Sequence, residues 1–591
     1  MGVCFSSRGR SDSLNLRLDR ILELKGLSCS GRLPQAFSPE CDVAAIVFSG
    51  FFDETKRAIS KESLKNFFRD SQKEKAPKFN RDAYDIEEAL RDFVLTGDNL
   101  IIGKCVVDVS SMNEPLSHYF INSSHNTYLS GDQLFSRSLT FAIKRALLHG
   151  CRVIELDCYD GGREGPVVMH GITATQSITF RNALKTIKQD AHTTSEYPVI
   201  ITMENHCSKL KRVELAKILL EELGDKLFIP LSLHLNQWPS PSELKGRILI
   251  RDKIGTKQED KVREASGSPY LVRTQPIPIC RRFVDNAEDI ARFEISDDVT
   301  NREEPCEAFS YFNFKFMRST NSYEPPTPSS EKVKQQVCNE MFKSLISIEN
   351  IKIKVIKEAL EIERVISCSW DELTLNNRKW ALDKATMLDF TGRHLLRCYP
   401  NRRRVTSQNF DPSLAWSMGA QMVALNFQTN DLAMWLNRGK FVANGGCGFV
   451  RKPEYLIDPS VPAPSEPTRV LTITIIAGSG WEILEHRTHA SAPQTYVRIT
   501  IAGNVKDFKS CTSSVSTSHS RTSDAQPFFN ETFEFHLIEP DLALVLFTVH
   551  DKSVKTPEMF LAQHCSPVNL LRSGTRISPL YSAEGTCLSR E

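Results

Sequence analysis

The sequence predicts a multidomain α/β protein: a parallel β/α barrel, a helical region ahead of it and an all-β sandwich behind it. Three observations predict this. Between His118 and His206, four short apolar runs each end in polar residues, with helix-length segments between them. Residues 45–100 carry apolar side chains at helical spacing, and residues 468–591 alternate with period two. Strand, polar tip and helix in repetition is the pattern of a parallel barrel, whose active site is built from strand C-terminal ends.

The polar tips carry chemistry. They are Ser124 to Asn126, then Glu155 and Asp157, then His170, then Glu204 to His206. Leu139 to His149 and Thr179 to Ala191 supply helices between them. Glu155 and Asp157 are two apart on a strand, so both point to one face. With Asn126 and Glu204 they make three carboxylates and an amide, an oxygen-only set that suits calcium rather than zinc. Loop acids in water are the plainer alternative, but packing three carboxylates with no cation costs several kcal/mol. Two histidines beside such a set point to phosphoryl chemistry. One can stabilise equatorial charge and the other can protonate a leaving oxygen.

Composition narrows the class. The chain has 591 residues, enough for three or four domains, and its 40% hydrophobic and 25% charged content is that of an ordinary soluble protein. A net charge of +2 argues against nucleic acid. No apolar run reaches transmembrane length, and no secretory segment opens the chain. The 16 cysteines contain no C-x-x-C pair and read as reduced intracellular thiols.

HYFINSSHNTYLSGDQL, GCRVIELDCYDG, HG and PVIITMENHCS resemble the X box of eukaryotic phosphoinositide-specific phospholipase C. LKGRILIRDK (244–253) resembles the end of that box, and QMVALNFQT (421–429) and NGGCGFVRKP (444–453) resemble the Y box. The resemblance implies a (β/α)8 TIM-like barrel split into X and Y halves. It implies a calcium-dependent enzyme that cleaves phosphatidylinositol 4,5-bisphosphate to diacylglycerol and inositol 1,4,5-trisphosphate through a cyclic phosphate. Ca2+ would sit on Asn126, Glu155, Asp157 and Glu204. Glu155 (or Asp157) would take the inositol 2-hydroxyl proton, His125 would stabilise the transition state and His170 would protonate the leaving oxygen.

The elements then follow in order. Residues 1–40 form a lipidated N-terminal tail, because Gly2 followed by Ser6 fits N-myristoylation and Cys4 is placed for palmitoylation. Arg8, Arg10, Arg17 and Arg20 would meet an anionic inner leaflet. Residues 41–105 are a helical, degenerate EF-hand-like region. Its DETKRAISKE loop lacks the glycine and alternating oxygens of a calcium loop. The stretch before it is too short for the family's pleckstrin-homology domain, which puts recruitment on Gly2 and Cys4 and resembles the short trypanosomatid type.

Residues 106–255 are the X half. Arg251 and Lys253 alternate onto one face at the end of RILIRDK, and the resemblance makes them ring-phosphate ligands, with arginine where the family usually has lysine. Residues 256–337 are the X–Y linker, rich in Pro, Ser and acid, either autoinhibitory or a plain tether. Residues 338–457 are the Y half. Ser369 aligns with a head-group serine, within a one-residue slip. Arg397 and Tyr399 share a face, for a ring phosphate and the inositol ring. Arg403 stands where the family often has a lipid-inserting Trp, Ala174 is small, and only Leu134 and Ile172 remain as rim hydrophobes, so weak apolar insertion is expected. Residues 465–591 are a C2-like domain whose Ala492 and Ser553 replace calcium-loop acids around Asp551. A calcium-independent role follows.

The whole reads as a monomeric, lipid-anchored enzyme at the cytoplasmic face of the plasma membrane. The rivals are a catalytically inactive phosphoinositide-binding scaffold and a barrel phosphodiesterase for unphosphorylated head groups. The intact histidines and ligand set oppose the first, and the Arg251, Lys253, Arg397 and Tyr399 wall opposes the second.

Overall fold

Eight short apolar runs form eight parallel strands. They are β1 (Tyr119–Ser124), β2 (Val153–Tyr159), β3 (Val199–Asn205), β4 (Ile248–Asp252), β5 (Ile348–Glu349), β6 (Ser367–Asp371), β7 (Leu395–Tyr399) and β8 (Met422–Leu425). This is a computed structural model. It describes residues 2–5, 16–19, 47–53, 56, 58–86, 88–89, 93, 99–171, 173, 175–230, 235–254, 341–353, 355–378, 384–479, 495–503, 512–517, 528–551 and 559–588.

The strands pair in the order β5-β4-β3-β2-β1-β8-β7-β6. A parallel bridge between Asn350 and Ser367 brings the two ends of that order together, so the sheet wraps round as a barrel. Register decides what the mouth holds. Asp157 faces Glu204 across β2 and β3, and Leu425 faces Ser124 across β8 and β1. β4 and β5 pair directly through Arg251 and Ile348. The expected linker, 256–337, lies outside the described residues.

Helices cover the barrel where periodicity places them. Thr140–Leu148 and Phe180–Asp190 match the two expected segments within a residue or two. Thr179 caps the second by accepting the Asn182 N–H at 3.2 Å. Fully buried Arg152 donates to the carbonyls of Leu147 (3.2 Å) and Ala191 (2.6 Å) at the ends of both helices. A cation there complements two helix C-termini.

The chain resolves into two units. One is the barrel, residues 109–408 with 421–428; the other gathers 1–108, 409–420 and 429–591. The second unit gathers segments from several parts of the sequence. The helix that follows β8, Leu432–Phe441, belongs to it, capped by Asp431 and tied by the Trp435 indole N–H to the Ala583 carbonyl at 2.9 Å. The region ahead of the barrel also contributes to this unit. Phe48, Phe67 and Phe93 stack edge-to-face and share one core with Leu471, Ile473, Val545 and Phe547 of the sandwich. Lys61–Asp70 is helical as expected, but Ala83–Asp85, inside a run with helical spacing, is a strand paired antiparallel to Ala58–Ser60. The Asp85 carboxylate accepts the Glu88 N–H at 3.2 Å, which favours helix starting only after it.

Behind the barrel, the expected sandwich forms. β9 (Arg469–Ser479) pairs antiparallel with β11 (Phe528–Leu537), and β10 (Thr495–Ala502) pairs with β12 (Leu544–Asp551), itself flanked by β13 (Met559–Pro567). Gly2–Phe5, expected as a tail, adds a strand antiparallel to Arg576–Pro579. Ala492 and Ser553 lie outside the described residues, as do Ile172 and Ala174. No helix among the described residues is long and apolar enough to cross a membrane.

Candidate active site

Parallel strands deliver their last residues to one end of a barrel, and here those residues are the titratable ones. Glu155 and Asp157 leave β2 on one face, and Glu204 reaches them from β3. Their carboxylate oxygens lie within 4.8 Å of one another. Asp157 is buried and Oδ1 has no hydrogen-bond partner among the described residues. Burial, and then the charges of Glu155 and Glu204, push its carboxyl well above the usual range. Glu204 is more open; a 3.3 Å contact with the His206 ring draws its carboxyl down.

Asn126 completes the oxygen set. Its backbone is in the left-handed region at φ 43°, directing its N–H to Glu155 Oε2 at 2.9 Å. Its side-chain N–H donates to Gln133 Oε1 at 2.8 Å, which leaves the amide oxygen as the outward acceptor. An orphaned buried carboxylate oxygen, three converging acids and a turned amide fit a hard divalent cation.

Both histidines stand beside this set with one nitrogen fixed. His170 Nδ1 lies 2.7 Å from the Gln133 carbonyl; a carbonyl only accepts, so Nδ1 carries the proton and Nε2 is left for chemistry. His125 Nδ1 lies 3.0 Å from Asn426 Oδ1, and burial lowers its pKa. The Tyr399 ring is nearly parallel to the His125 ring, with centroids 6.3 Å apart and an interplanar angle of 9°.

The basic residues sit deeper than an exposed phosphate wall would. Arg251 is 1% exposed; it donates to Ser367 Oγ (2.8 Å), Asn350 Oδ1 (2.9 Å), the Cys368 carbonyl (3.1 Å) and Ser369 Oγ (2.7 Å). Every one of those acceptors is neutral. Burial, with Arg397 nearby, lowers its pKa to about 9. Arg397 is 3% exposed; its guanidinium lies 2.6 Å from Glu155 Oε2 and 5.2 Å over the Tyr399 ring. Lys253 is the open member of the group.

Four contributors escape the sequence reading. Gln133 sits in GDQL as an ordinary loop polar residue, and no spacing rule singles it out. Asn426 had a signal, since MVALN is one more apolar run ending in a polar tip. Ser407, at φ 61°, and Asn350 are found only through their bonds. Phe135 also escaped: it is 74% exposed beside exposed Leu134, and the Gln133 N–H to Val405 carbonyl bond (2.8 Å) sets Val405 alongside. That rim is more apolar than Arg403 and Leu134 alone had suggested.

Comparison with known proteins agrees with this architecture. Residues 112–254 match the phosphatidylinositol-specific phospholipase C X domain, 341–455 the corresponding Y domain and 469–582 the C2 domain. Phosphoinositide phospholipase C 4 of Arabidopsis thaliana is 33% identical over 489 residues, covering 80% of this chain and 78% of its own. The 1-phosphatidylinositol 4,5-bisphosphate phosphodiesterase delta-3-A of Danio rerio is 34% identical over 505 residues, 81% of this chain and 56% of its own. The crystal structure of L. pealei PLC21 superposes with a TM-score of 0.65 at 25% identity, covering 86% of this chain and 59% of that one.

Proposed function

This chain belongs to the family of eukaryotic phosphoinositide-specific phospholipases C, and from that premise we propose that it cleaves phosphatidylinositol 4,5-bisphosphate in a calcium-dependent reaction. Phosphoinositide phospholipase C activity comes with the family. One observation carries it: Glu155, Asp157 and Glu204 converge within 4.8 Å around an unpartnered buried oxygen, between two histidines with fixed rings.

Asn126, Glu155, Asp157 and Glu204 would hold calcium. Bound there, the ion supplies a lowered pKa for the inositol 2-hydroxyl and charge to offset the phosphate. Glu155, or Asp157, takes the hydroxyl proton, and the alkoxide attacks phosphorus in line. His125 donates from Nε2 to the phosphate oxygens as imidazolium, a form that burial disfavours and an arriving phosphodiester anion restores. His170 delivers the Nε2 proton to the diacylglycerol oxygen while the Gln133 carbonyl holds Nδ1. Water opens the cyclic phosphate with the roles reversed.

Head-group selection falls to Arg251, Lys253, Ser369, Arg397 and Tyr399. Arg251 holds the Ser369 hydroxyl oxygen, and the hydroxyl proton, which the long 3.5 Å bond to Asn350 Oδ1 holds only weakly, would turn to an inositol phosphate oxygen. Leu134, Phe135 and Val405 would meet the acyl region at the inner leaflet, with Arg402 and Arg403 beside them for anionic lipid. Myristoyl and palmitoyl groups on Gly2 and Cys4 would anchor the chain, which intact-mass measurement of protein from a eukaryotic host checks.

The test is release of water-soluble inositol phosphates from vesicles containing phosphatidylinositol 4,5-bisphosphate, with and without calcium, for wild type and Glu204→Gln. Calcium-dependent release that the variant loses supports the proposal. Absence of release at every calcium level, with head-group binding kept, would instead favour a phosphoinositide-binding scaffold.

A further inference from the structure

Gln133 bonds to three of the site's residues, though no chemical role has been assigned to it. Its Oε1 accepts from Asn126 Nδ2 at 2.8 Å. Its Nε2 donates to Ser407 Oγ at 2.7 Å and to Asn426 Oδ1 at 3.3 Å. Asn426 Oδ1 in turn accepts from His125 Nδ1 at 3.0 Å. Its main-chain carbonyl accepts from His170 Nδ1 at 2.7 Å. Gln133 is itself buried, and Ser407, which anchors it, donates onward to the Gly131 carbonyl at 2.7 Å.

A carboxamide has one accepting end and one donating end, so these bonds are not independent. If the Asn126 oxygen faces a cation, its N–H group must face Gln133. Gln133 must then present Oε1 to Asn126 and Nε2 to Asn426. Asn426 must present its oxygen to His125, and His125 must carry its proton on Nδ1. Turning any amide over sets two donors or two acceptors against each other inside a buried site, leaving polar groups unpaired there. The chain of bonds therefore has one direction, and a cation at its first member selects it.

We propose that Gln133 is a positioning residue that couples cation occupancy at Asn126 to the orientation and tautomer of His125, while its backbone independently fixes His170. This rests on the calcium reading above. The side chain serves Asn126 and His125, and the main chain serves His170, so substitution separates the two functions. Gln133→Leu removes both side-chain links and keeps the carbonyl. Gln133→Glu keeps an acceptor for Asn126 but has no N–H for Asn426.

Full-length wild type, Gln133→Leu and Gln133→Glu would be titrated with calcium alone by calorimetry and assayed on phosphatidylinositol 4,5-bisphosphate vesicles at saturating calcium. Gln133→Leu is expected to bind calcium at least tenfold more weakly and to lose about tenfold in kcat, with KM within threefold because the head-group residues are untouched. Gln133→Glu is expected to bind calcium as tightly as wild type or better, yet keep the low kcat of the Leu variant. Histidine-selective nitrogen NMR is expected to show the His170 Nδ1–H tautomer unchanged in both variants and that of His125 lost.

Equal calcium affinity and kcat in all three proteins would overturn the inference. So would Leu and Glu variants that fail alike in both quantities, the pattern of simple structural damage. If Gln133→Leu does not fold, Ser407→Gly decides, since glycine suits φ 61° and only the hydroxyl anchoring Nε2 is lost. A two- to fivefold loss of kcat supports the coupling, and wild-type kcat overturns it. Wild type that binds no calcium refutes the metal reading itself, which these variants alone would not.

Discussion

The two halves of the barrel are built from the same strand-and-helix unit, yet they deliver different side chains to the mouth. In the first half, β2 ends in Glu155 and Asp157 and β3 in Glu204; in the second, β7 ends in Arg397 and Tyr399 and β6 in Ser369. Each pair uses the same two-residue spacing to put both side chains on one face. In the proposed reaction Glu155, Asp157 and Glu204 would gather a cation and move protons, and Ser369, Arg397 and Tyr399 would recognise phosphate. They meet at the 2.6 Å contact between Glu155 and Arg397. A buried ion pair across that seam lets each half compensate the other's charge before either ligand arrives.

Breaking the chemistry of the first half should have the largest effect. His170→Ala is expected to lower kcat by about 10²–10⁴-fold, the usual contribution of a positioned general acid. Steady-state rates on vesicles measure this, and a loss under tenfold would transfer the proton to another group.

Breaking the seam comes next. Arg397→Met leaves Glu155 buried without its counter-charge, which typically costs about 3–5 kcal/mol. Calcium supplies a replacement charge, so denaturant unfolding should show a smaller deficit with calcium than without. A deficit unaffected by calcium would mean that Glu155 is not a ligand.

Recognition across the two halves is sharpened by Arg251→Lys, because Arg251 leaves β4 of the first half and bonds Ser367, Asn350 and Ser369 of the second. A lysine ammonium cannot hold Ser367, Asn350 and Ser369 at once as a planar guanidinium does. The KM for phosphatidylinositol 4,5-bisphosphate is expected to rise about tenfold with kcat within threefold. A fall in kcat alone would move Arg251 from recognition to catalysis.

The smallest expected effect compares the barrel with the sandwich. Burial lowers the pKa of His394, in the barrel, and of His564, in the sandwich, each to about 4. Unfolding returns them to the ordinary range near 6.5. Between those values the unfolded chain binds more protons, so stability falls as pH drops from about 6.5 to 4 and is regained on return. His564→Gln is expected to flatten this dependence for the sandwich transition and leave that of the barrel unchanged, read by unfolding across pH.

Strand ends were legible because a parallel barrel repeats one local rule. An apolar run that stops at a carboxylate, histidine or amide marks a mouth residue, and Glu155, Asp157, Glu204, His125 and His170 all obey it. Arg251 and Arg397 were legible in position but not in depth. Their burial depends on Asn350, Ser367 and Glu155, which arrive from other strands. The strand at Ala83–Asp85 was missed because its partner, Ala58–Ser60, outweighs a helical period that starts at Tyr84. Gln133 was invisible for another reason: its importance lies in which way an amide points, and no sequence pattern encodes that.

The left-handed backbone at Asn126 narrows the routes open to variation at this position. Most side chains are strained at φ 43°, leaving glycine, asparagine and aspartate as the inexpensive occupants. Glycine would keep the Glu155 contact but offer no ligand oxygen. Aspartate would keep the oxygen, add a fourth negative charge and remove the N–H that Gln133 accepts. Viewed as a walk through sequence space, position 126 is an almost closed door, with backbone shape, metal ligation and amide direction each rejecting a different set of neighbours.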